Sequence, residues 1–305
     1  MNTFSFILLL PTIFLAFVDL SEAAAKPPPP PPCRFVTDFD ARTKWPRCKD
    51  AINNVFAQAD CDSCWAVSVA SAYTDRYCIQ RALKNLNTSS TDPHFRFSAL
   101  DIMSCTYPLQ DGCKAGGFPV DAWNFIQKKG VVTGTDYYQN NGCRPYPYEP
   151  NKKASFKTRC SEGLLKKPKC TNSKWPTPYE KDKHYASSHT RWSGPKVKIS
   201  DIQAEIKRNG PINANFFLSS DLLQRGRTDE PYIGNIKCTL FKPSNHVLEI
   251  VGWGRKICGK NVVPYWICKN SFGASWGNGG FFNVRMGYND NCLENDGINF
   301  GLPKL

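Results

Sequence analysis

Apolar and polar positions change rhythm near Gly210. Before that point the pattern is helical. From Cys64 to Leu83 the string CWAVSVASAYTDRYCIQRAL holds neither proline nor glycine. Val67, Ala70, Ser71, Thr74 and Cys78 recur there at steps of three and four, as on one face of a helix. Val120 to Lys129 predicts a second helix with Gly130 as its C-terminal stop. Ile199 to Arg208 predicts a third, ended by Asn209-Gly210-Pro211. Beyond Gly210, short runs at Asn213–Leu218, Val247–Trp253, Tyr265–Cys268 and Gly280–Met286 are rich in aromatic and branched residues. Glycine and asparagine separate them, which predicts strands. Between Asn140 and Pro178 the chain is rich in Pro, Lys and Cys and has no period, so it reads as a long loop stapled by disulfides. The pattern therefore predicts an α+β protein with a helical half, a β half and a site in the cleft between them.

The N-terminus and the composition place that domain. Phe4 to Val18 is an apolar run of about 15 residues, short for a membrane span of about 20. Ala23-Ala24-Ala25 follows it, so residues 1–25 are expected to be a cleaved secretory signal. Lys26 and the six prolines Pro27 to Pro32 form an extended spacer, taken as residues 26–33. The globular domain is expected over 34–305. Fourteen cysteines point to an oxidising compartment. The net charge of +13 rises by two when Asp19 and Glu22 leave with the signal. The basic residues are spread, densest from Lys152 to Lys169. No nucleic-acid-binding signature accompanies them, so the expectation is a solvated basic surface without a nucleic-acid partner or stable membrane insertion.

The candidate chemistry centres on Cys64. It opens the longest predicted helix, where backbone N–H groups and the helix dipole favour a thiolate. Three readings stand for it: a disulfide half, one sulfur of a redox Cys61-x-x-Cys64 pair, or a nucleophile. The redox reading wants a βαβ context, and no such pattern precedes Cys61. A nucleophilic thiol needs an imidazole and a group to orient that ring. Only four histidines are available, at 94, 184, 189 and 246. His94 falls in a polar loop, His189 in a Ser/Thr-rich stretch and His184 beside the basic loop, whereas His246 heads an apolar strand.

Cys61-Asp62-Ser63-Cys64-Trp65 resembles the signature of papain-family cysteine peptidases. Within that family the chain is most similar to the cathepsin B group. Asp38 to Arg42, Trp45-Pro46, Asp75 to Ile79, Ala122 to Phe125, Gly142 to Tyr146 and Tyr179 to Tyr185 match it in order. The resemblance implies a papain-like fold with a helical half at about 50–140, an occluding-type loop at about 142–170 and a β-barrel half at about 185–290. It implies Cys64 as nucleophile, His246 as base, Asn270 as the orienter of the imidazole and Gln58 as oxyanion donor. It places substrate contacts at Gly116, Gly117, Trp276 and Gly297. It implies peptide or protein substrates, inhibitors of the cystatin type, no cofactor and no metal, in a secreted or lysosomal setting.

The resemblance is incomplete in informative places. Asp62 stands where the family has glycine, Phe272 where it has tryptophan, and Gly297 where the cathepsin B group has an acid in the S2 pocket. The His-His pair that clamps a substrate carboxylate falls at Asn151-Lys152, and the acid that pins that loop is Ala57. Only about eight residues separate the expected cleavage from the mature-like start, too few for an inhibitory prodomain. A non-catalytic secreted protein on the same scaffold is the alternative function. For the cysteines the resemblance implies the pairs Cys48–Cys78, Cys61–Cys113, Cys105–Cys170 and Cys143–Cys160, with Cys64 and Cys292 free. Cys33, Cys238, Cys258 and Cys268 have no assigned partner, and Cys238–Cys258 is the expected pair among them. Asn87-Thr88-Ser89 is an N-glycosylation acceptor.

Overall fold

A computed structural model describes residues 32–89, 92–154, 159–161, 166–234, 236 and 244–305. The expected signal, all of the spacer before Pro32, Cys238 and parts of the basic loop lie outside these residues. The unit Cys33–Leu305 folds around a helix, α3, at Cys64–Leu83. Twenty residues without Pro or Gly give a rod of about 30 Å. Nearly every position from Cys64 to Ile79 is buried, so α3 is covered on all faces and not on one stripe. Two short helices precede it, α1 at Ala41–Lys44 and α2 at Lys49–Asn53. Two more pack beside it. Helix α4 spans Ala99–Thr106 and is capped by the Ser98 hydroxyl, which accepts from the Asp101 N–H at 2.9 Å. Helix α5 spans Pro119–Lys129, with proline in its first turn and Gly130 at φ 75° past its end. Trp65, Tyr73, Phe97 and Trp123 fill the space between them.

The sheet has seven strands: β1 at Arg34–Asp40, β2 at Ala186–Trp192, β3 at Ile212–Phe216, β4 at His246–Cys258, β5 at Asn261–Lys269, β6 at Phe281–Arg285 and β7 at Ile298–Pro303. Their order is β2-β7-β3-β4-β5-β6, with β1 added antiparallel to β4. Among the described residues β2 and β6 are end strands that do not pair with each other, so the expected barrel is an open sheet. The sequence reading missed β1, β2 and β7. β1 and β2 are largely exposed edge segments without a clean alternation, and β7 is interrupted by Gly301 and Pro303. Helix α6 at Ile199–Asn209 presses Ile202 and Ile206 into the apolar side of the sheet.

Helix and sheet meet through a buried charge cluster. The Lys269 ammonium lies 2.7 Å from Asp75 on α3 and 3.0 Å from Glu249 on β4. It also donates to the Ile52 carbonyl at 3.1 Å. Burial pushes the Glu249 carboxyl up, opposed by Lys269. Removing the one lysine would leave two buried acids unpaired, a change that costs about 3–5 kcal/mol in comparable cases. Glu249 and Lys269 are partners in the β4–β5 register. That register sets His246, at the start of β4, and Asn270, just past β5, on the same side of the α3–sheet junction.

The disulfides correct part of the cysteine reading. Cys48 pairs with Cys78 and Cys61 with Cys113. Cys105 pairs with Cys160, and Cys143 with Cys170, so the two expected loop pairs exchange partners. The reason is local. Buried Arg144 donates to the Arg159 carbonyl at 3.0 Å and to Asp101 on α4 at 3.1 Å, which draws residue 160 to the end of α4. The N–H groups of Thr171 and Asn172 donate to the Cys143 carbonyl at 2.9 and 3.2 Å, which lays residue 170 beside 143. Cys258 pairs with Cys33 and not with Cys238, because Arg34 opposite Ile257 in the β1–β4 register brings the two strand ends together. Cys292 is disulfide-bonded instead of free. The free thiols among the described residues are Cys64 and Cys268. Cys268 points into the apolar core of the sheet, away from any other cysteine.

Candidate active site

Cys64 and His246 line one cleft of 660 Å³ from its two sides, the first from α3 and the second from β4. Gln58, Asp62, Trp65, Gly116, Gly117 and Phe272 line it with them. The Val247 N–H donates to the Cys64 sulfur, so the residue after His246 touches the nucleophile candidate. His246 Nε2 lies 2.9 Å from Asn270 Oδ1, and both residues are 4% exposed. An amide oxygen at that distance accepts the ring N–H, which leaves Nδ1 as the nitrogen free to take a proton. Phe272 stacks on the imidazole at 5.1 Å and 30°, shielding the His246–Asn270 bond from water. Trp276 does not line the cleft. It stands edge-on against Phe272 at 5.6 Å and holds that ring in place.

Burial shifts both groups toward their neutral forms. The Cys64 thiol is pushed up to about 11, chiefly by burial. The N–H groups of Val247 and Trp65 pull it down in part, and the Asp62 carboxylate pushes it up. Burial lowers His246 to about 4, against the Asn270 hydrogen bond. Separate charges are therefore costly at either residue. Moving the proton from sulfur to imidazole creates both charges together, and their mutual attraction offsets the cost of each.

Gln58 is buried and doubly fixed. Its Nε2 donates to the Cys61 carbonyl at 2.8 Å, and its Oε1 accepts from the Ser271 hydroxyl at 2.5 Å. The Tyr146 hydroxyl lies 2.8 Å from the Gln58 carbonyl and 2.7 Å from the Ser63 hydroxyl. Ser271 thus holds the side-chain amide and Tyr146 the main-chain carbonyl of the same residue, and sequence reasoning missed both. Each sits beside a motif residue, next to Asn270 and two after Arg144, but nothing in a hydroxyl's sequence position says which way it donates.

The glycines divide. A side chain at Gly117 would collide with the Trp65 ring at 2.4 Å, so the backbone there runs flush against the cleft wall. Gly116 adopts φ +62°, a conformation that favours glycine. Gly297 lies outside the cleft lining, while its neighbour Asp296 and Asn215 are part of it. A Cβ at 297 would meet the Asn215 amide nitrogen at 2.8 Å. Lys114, two residues before Gly116, lines the cleft as well, and Arg191, Leu218 and Asn245 line it without a sequence signal, because they come from separate segments. Asp62 does not need glycine's conformational freedom. Its backbone lies outside the positive-φ region, and its side chain is exposed at the cleft edge. Asn87 is exposed at the end of the segment after α3. No group of three or more metal-ligating side chains occurs among the described residues, and no described helix is long and apolar enough to cross a membrane.

The comparisons with known proteins agree on one family. The sequence profile of the papain family of cysteine proteases matches residues 35–300. A cathepsin B-like cysteine proteinase 4 of Caenorhabditis elegans is 35% identical over 274 residues, covering 88% of this chain and 75% of that protein. A cathepsin B-like cysteine proteinase of Schistosoma japonicum is 34% identical over 273 residues, covering 85% and 71%. Among solved structures, procathepsin B S9 of Trypanosoma congolense superposes with a TM-score of 0.65 at 26% identity, covering 89% of this chain and 79% of that one. With the helix-borne thiol, the buried imidazole and the cleft between them, these matches show that the chain belongs to the papain family of cysteine proteases and is cathepsin B-like.

Proposed function

We propose that this chain is a secreted or lysosomal cysteine endopeptidase that works through Cys64, His246, Asn270 and Gln58. The observation that carries the reading is the meeting of the Cys64 thiol and the His246–Asn270 pair in one cleft. Cys64 passes its proton to His246 and attacks the scissile carbonyl. The developing oxyanion is met by the Gln58 amide and the Cys64 N–H at the start of α3. His246 gives its proton to the leaving amine, and water then hydrolyses the thioester with His246 as base. Five disulfides between described residues suit an oxidising compartment, which supports passage through the secretory pathway.

The loop favours cleavage within a chain over trimming of dipeptides from its end. Lys152, at the place of the lost histidine pair, is salt-bridged to Glu149 at 2.8 Å and is not part of the cleft lining. Ala57 offers no acid to pin the loop over the cleft. The test compares an internally quenched peptide bearing an amidated C-terminus with the same peptide bearing a free carboxylate. Comparable rates are expected. A strong preference for the free carboxylate, lost in Lys152→Ala with Lys153→Ala, would show a lysine clamp instead.

One observation favours the non-catalytic reading, namely the Asp62 carboxylate raising the Cys64 thiol. An epoxide reagent directed at active-site thiols separates the two. Labelling at Cys64 alone is expected, and an unlabelled protein that binds peptide without cleaving it would support the second reading.

A further inference from the structure

A second cavity, of 370 Å³, lies against Phe272. Its walls include Val55, Ala57, Asp136, Tyr138, Asn151 and Phe272. Phe272 is the one residue it shares with the cleft, and that ring stacks on His246. His246 protonates the leaving amine in the proposed mechanism, so the substrate residues that follow the scissile bond depart past His246 and its covering ring. Gly116 and Gly117 line the cleft and not this cavity. The cavity therefore continues the cleft on the leaving-group side.

The loop forms part of this cavity instead of closing it. Asn151 stands at φ +61° on the cavity wall. The residues after it are tied down beside the cleft, since the Asp60 N–H donates to the Lys152 carbonyl at 3.2 Å and Asp60 bridges Lys153 in parallel. Ala57, joined to Phe272 by a single antiparallel bridge, gives the wall a methyl group where a longer acid would fill the space.

The lining chemistry is specific. Asp136 is the one carboxylate of the lining, and no Lys, Arg or His lines the cavity with it. Its oxygens accept from the Gln139 N–H at 2.9 Å and the Gln139 side-chain amide at 3.5 Å, and no described cation forms a salt bridge to it. Tyr138 is 77% exposed and stands edge-on to Tyr137 at 5.7 Å. A carboxylate beside two phenol rings suits a long apolar stem with a cationic head, through charge pairing and cation–π contact. We propose that this cavity receives an arginine or lysine side chain of the substrate, within the first three residues after the scissile bond. The proposal rests on the peptidase reading of the cleft.

Two substrates keep the two readings apart. One is a short peptide whose leaving group is a fluorescent amine, with no residue after the scissile bond. The other is an internally quenched peptide set carrying Arg, Leu or Glu at each of the first three positions after that bond. Hydrolysis of the first reports the chemistry at Cys64 alone. At one position of the second set, Arg is expected to exceed Glu in kcat/KM by roughly tenfold, mostly in KM, the size of an exposed ion pair joined to a cation–π contact. Asp136→Asn with Tyr138→Ala should erase that preference and leave the first substrate's rate unchanged. A flat series, a preference for Leu, or a preference for Arg that survives both substitutions overturns the proposal while the peptidase reading stands. Should the first substrate not be cleaved, the peptidase reading fails by itself. The cavity is then judged by calorimetry on Cys64→Ala with the matching Arg and Glu peptides, where equal affinities overturn it.

Discussion

Helix α3 and the loop at 142–170 flank the same site, yet different forces hold them in place. Helix α3 is fixed by what surrounds it: Trp65, Tyr73 and Ile79 are essentially inaccessible, and Asp75 and Arg76 end in buried ion pairs with Lys269 and Glu205. The loop is fixed by cross-links and by hydrogen bonds from a few buried groups. Its staples are Cys143–Cys170 and Cys105–Cys160, and its polar anchor is Arg144 against Asp101. A helix packed on all sides holds its first residue rigidly, which is what a nucleophile needs. A cross-linked loop can change its contents while keeping its ends, so the clamp histidines can be absent while the loop keeps its anchors.

If the rigid half of this comparison holds the chemistry, changes there have the largest effects. Cys64→Ser or His246→Ala should each lower kcat by roughly 10⁵–10⁶, because nucleophile and base act as a unit. Asn270→Ala should fall less, since its amide only orients the ring. Steady-state hydrolysis of the short fluorogenic substrate measures all three. Unchanged hydrolysis after Cys64→Ser would remove the thiol from the mechanism altogether.

The same contrast explains how much the sequence could tell. The ends of α5 and α6 follow from the glycines that stop them, Gly130 and Gly210, whereas the stretch free of Pro and Gly runs from residue 47 to 92 and so contains α3 without fixing its ends. The candidate site was legible because its residues sit inside short contiguous strings, around Cys64, His246 and Asn270. The loop pairings were not legible, because Cys105, Cys143, Cys160 and Cys170 can close either way within the same spacing. What decides between the pairings is where Arg144 donates, a contact between distant residues that no local pattern records. Strand β1 was missed for a similar reason. Its partner β4 is more than 200 residues away, and its own exposed edge shows no alternation. The cleft residues Arg191, Asn215 and Asp296 are likewise assembled by topology.

Gln58 tests the rigid side at a finer level. Removing one oxyanion donor costs about 10²–10³ in kcat, or roughly 2.7–4 kcal/mol. Gln58→Ala is expected in that range with little change in KM. Ser271→Ala should show a smaller loss of the same kind, because Ser271 holds Gln58 through its Oε1. A KM effect at constant kcat would mean that Gln58 binds the ground state instead.

On the loop side the expected effect moves from activity to stability. Cys143→Ser with Cys170→Ser opens a loop of sequence separation 27. Chain entropy puts the loss at about 3–4 kcal/mol in unfolding free energy. Denaturant unfolding should show that loss, while hydrolysis of the short fluorogenic substrate stays within about twofold. A large fall in that hydrolysis would mean that the loop braces the cleft, and the division between packed helix and stapled loop would not hold.

The smallest expected effect is the most discriminating, since it concerns a residue at the rim between the two regions. Asp62 is exposed at the cleft edge, and its N–H is tied to the Cys113 carbonyl at 3.0 Å. Burial and the nearby Asp60 carboxylate raise its own pKa. Above that pKa Asp62 is negative, and its charge disfavours the Cys64 thiolate. Asp62→Gly removes the charge, so the Cys64 pKa falls and the thiolate fraction rises at any pH where Asp62 would be ionised. The gain is limited because water and salt screen an exposed carboxylate. A roughly two- to threefold faster alkylation of Cys64 near neutral pH is expected, the scale of one charge several Å away in a high dielectric. Below the Asp62 pKa the carboxyl is neutral in the parent protein as well, so the two alkylation–pH profiles should converge in acid. Added salt should narrow the gap. Profiles that coincide throughout would place the Asp62 charge outside the reach of the thiol, and with that the one observation that favours a non-catalytic scaffold would lose its force. A gap that persists unchanged into acid would point to a steric effect of the side chain, with the carboxylate's charge playing no part.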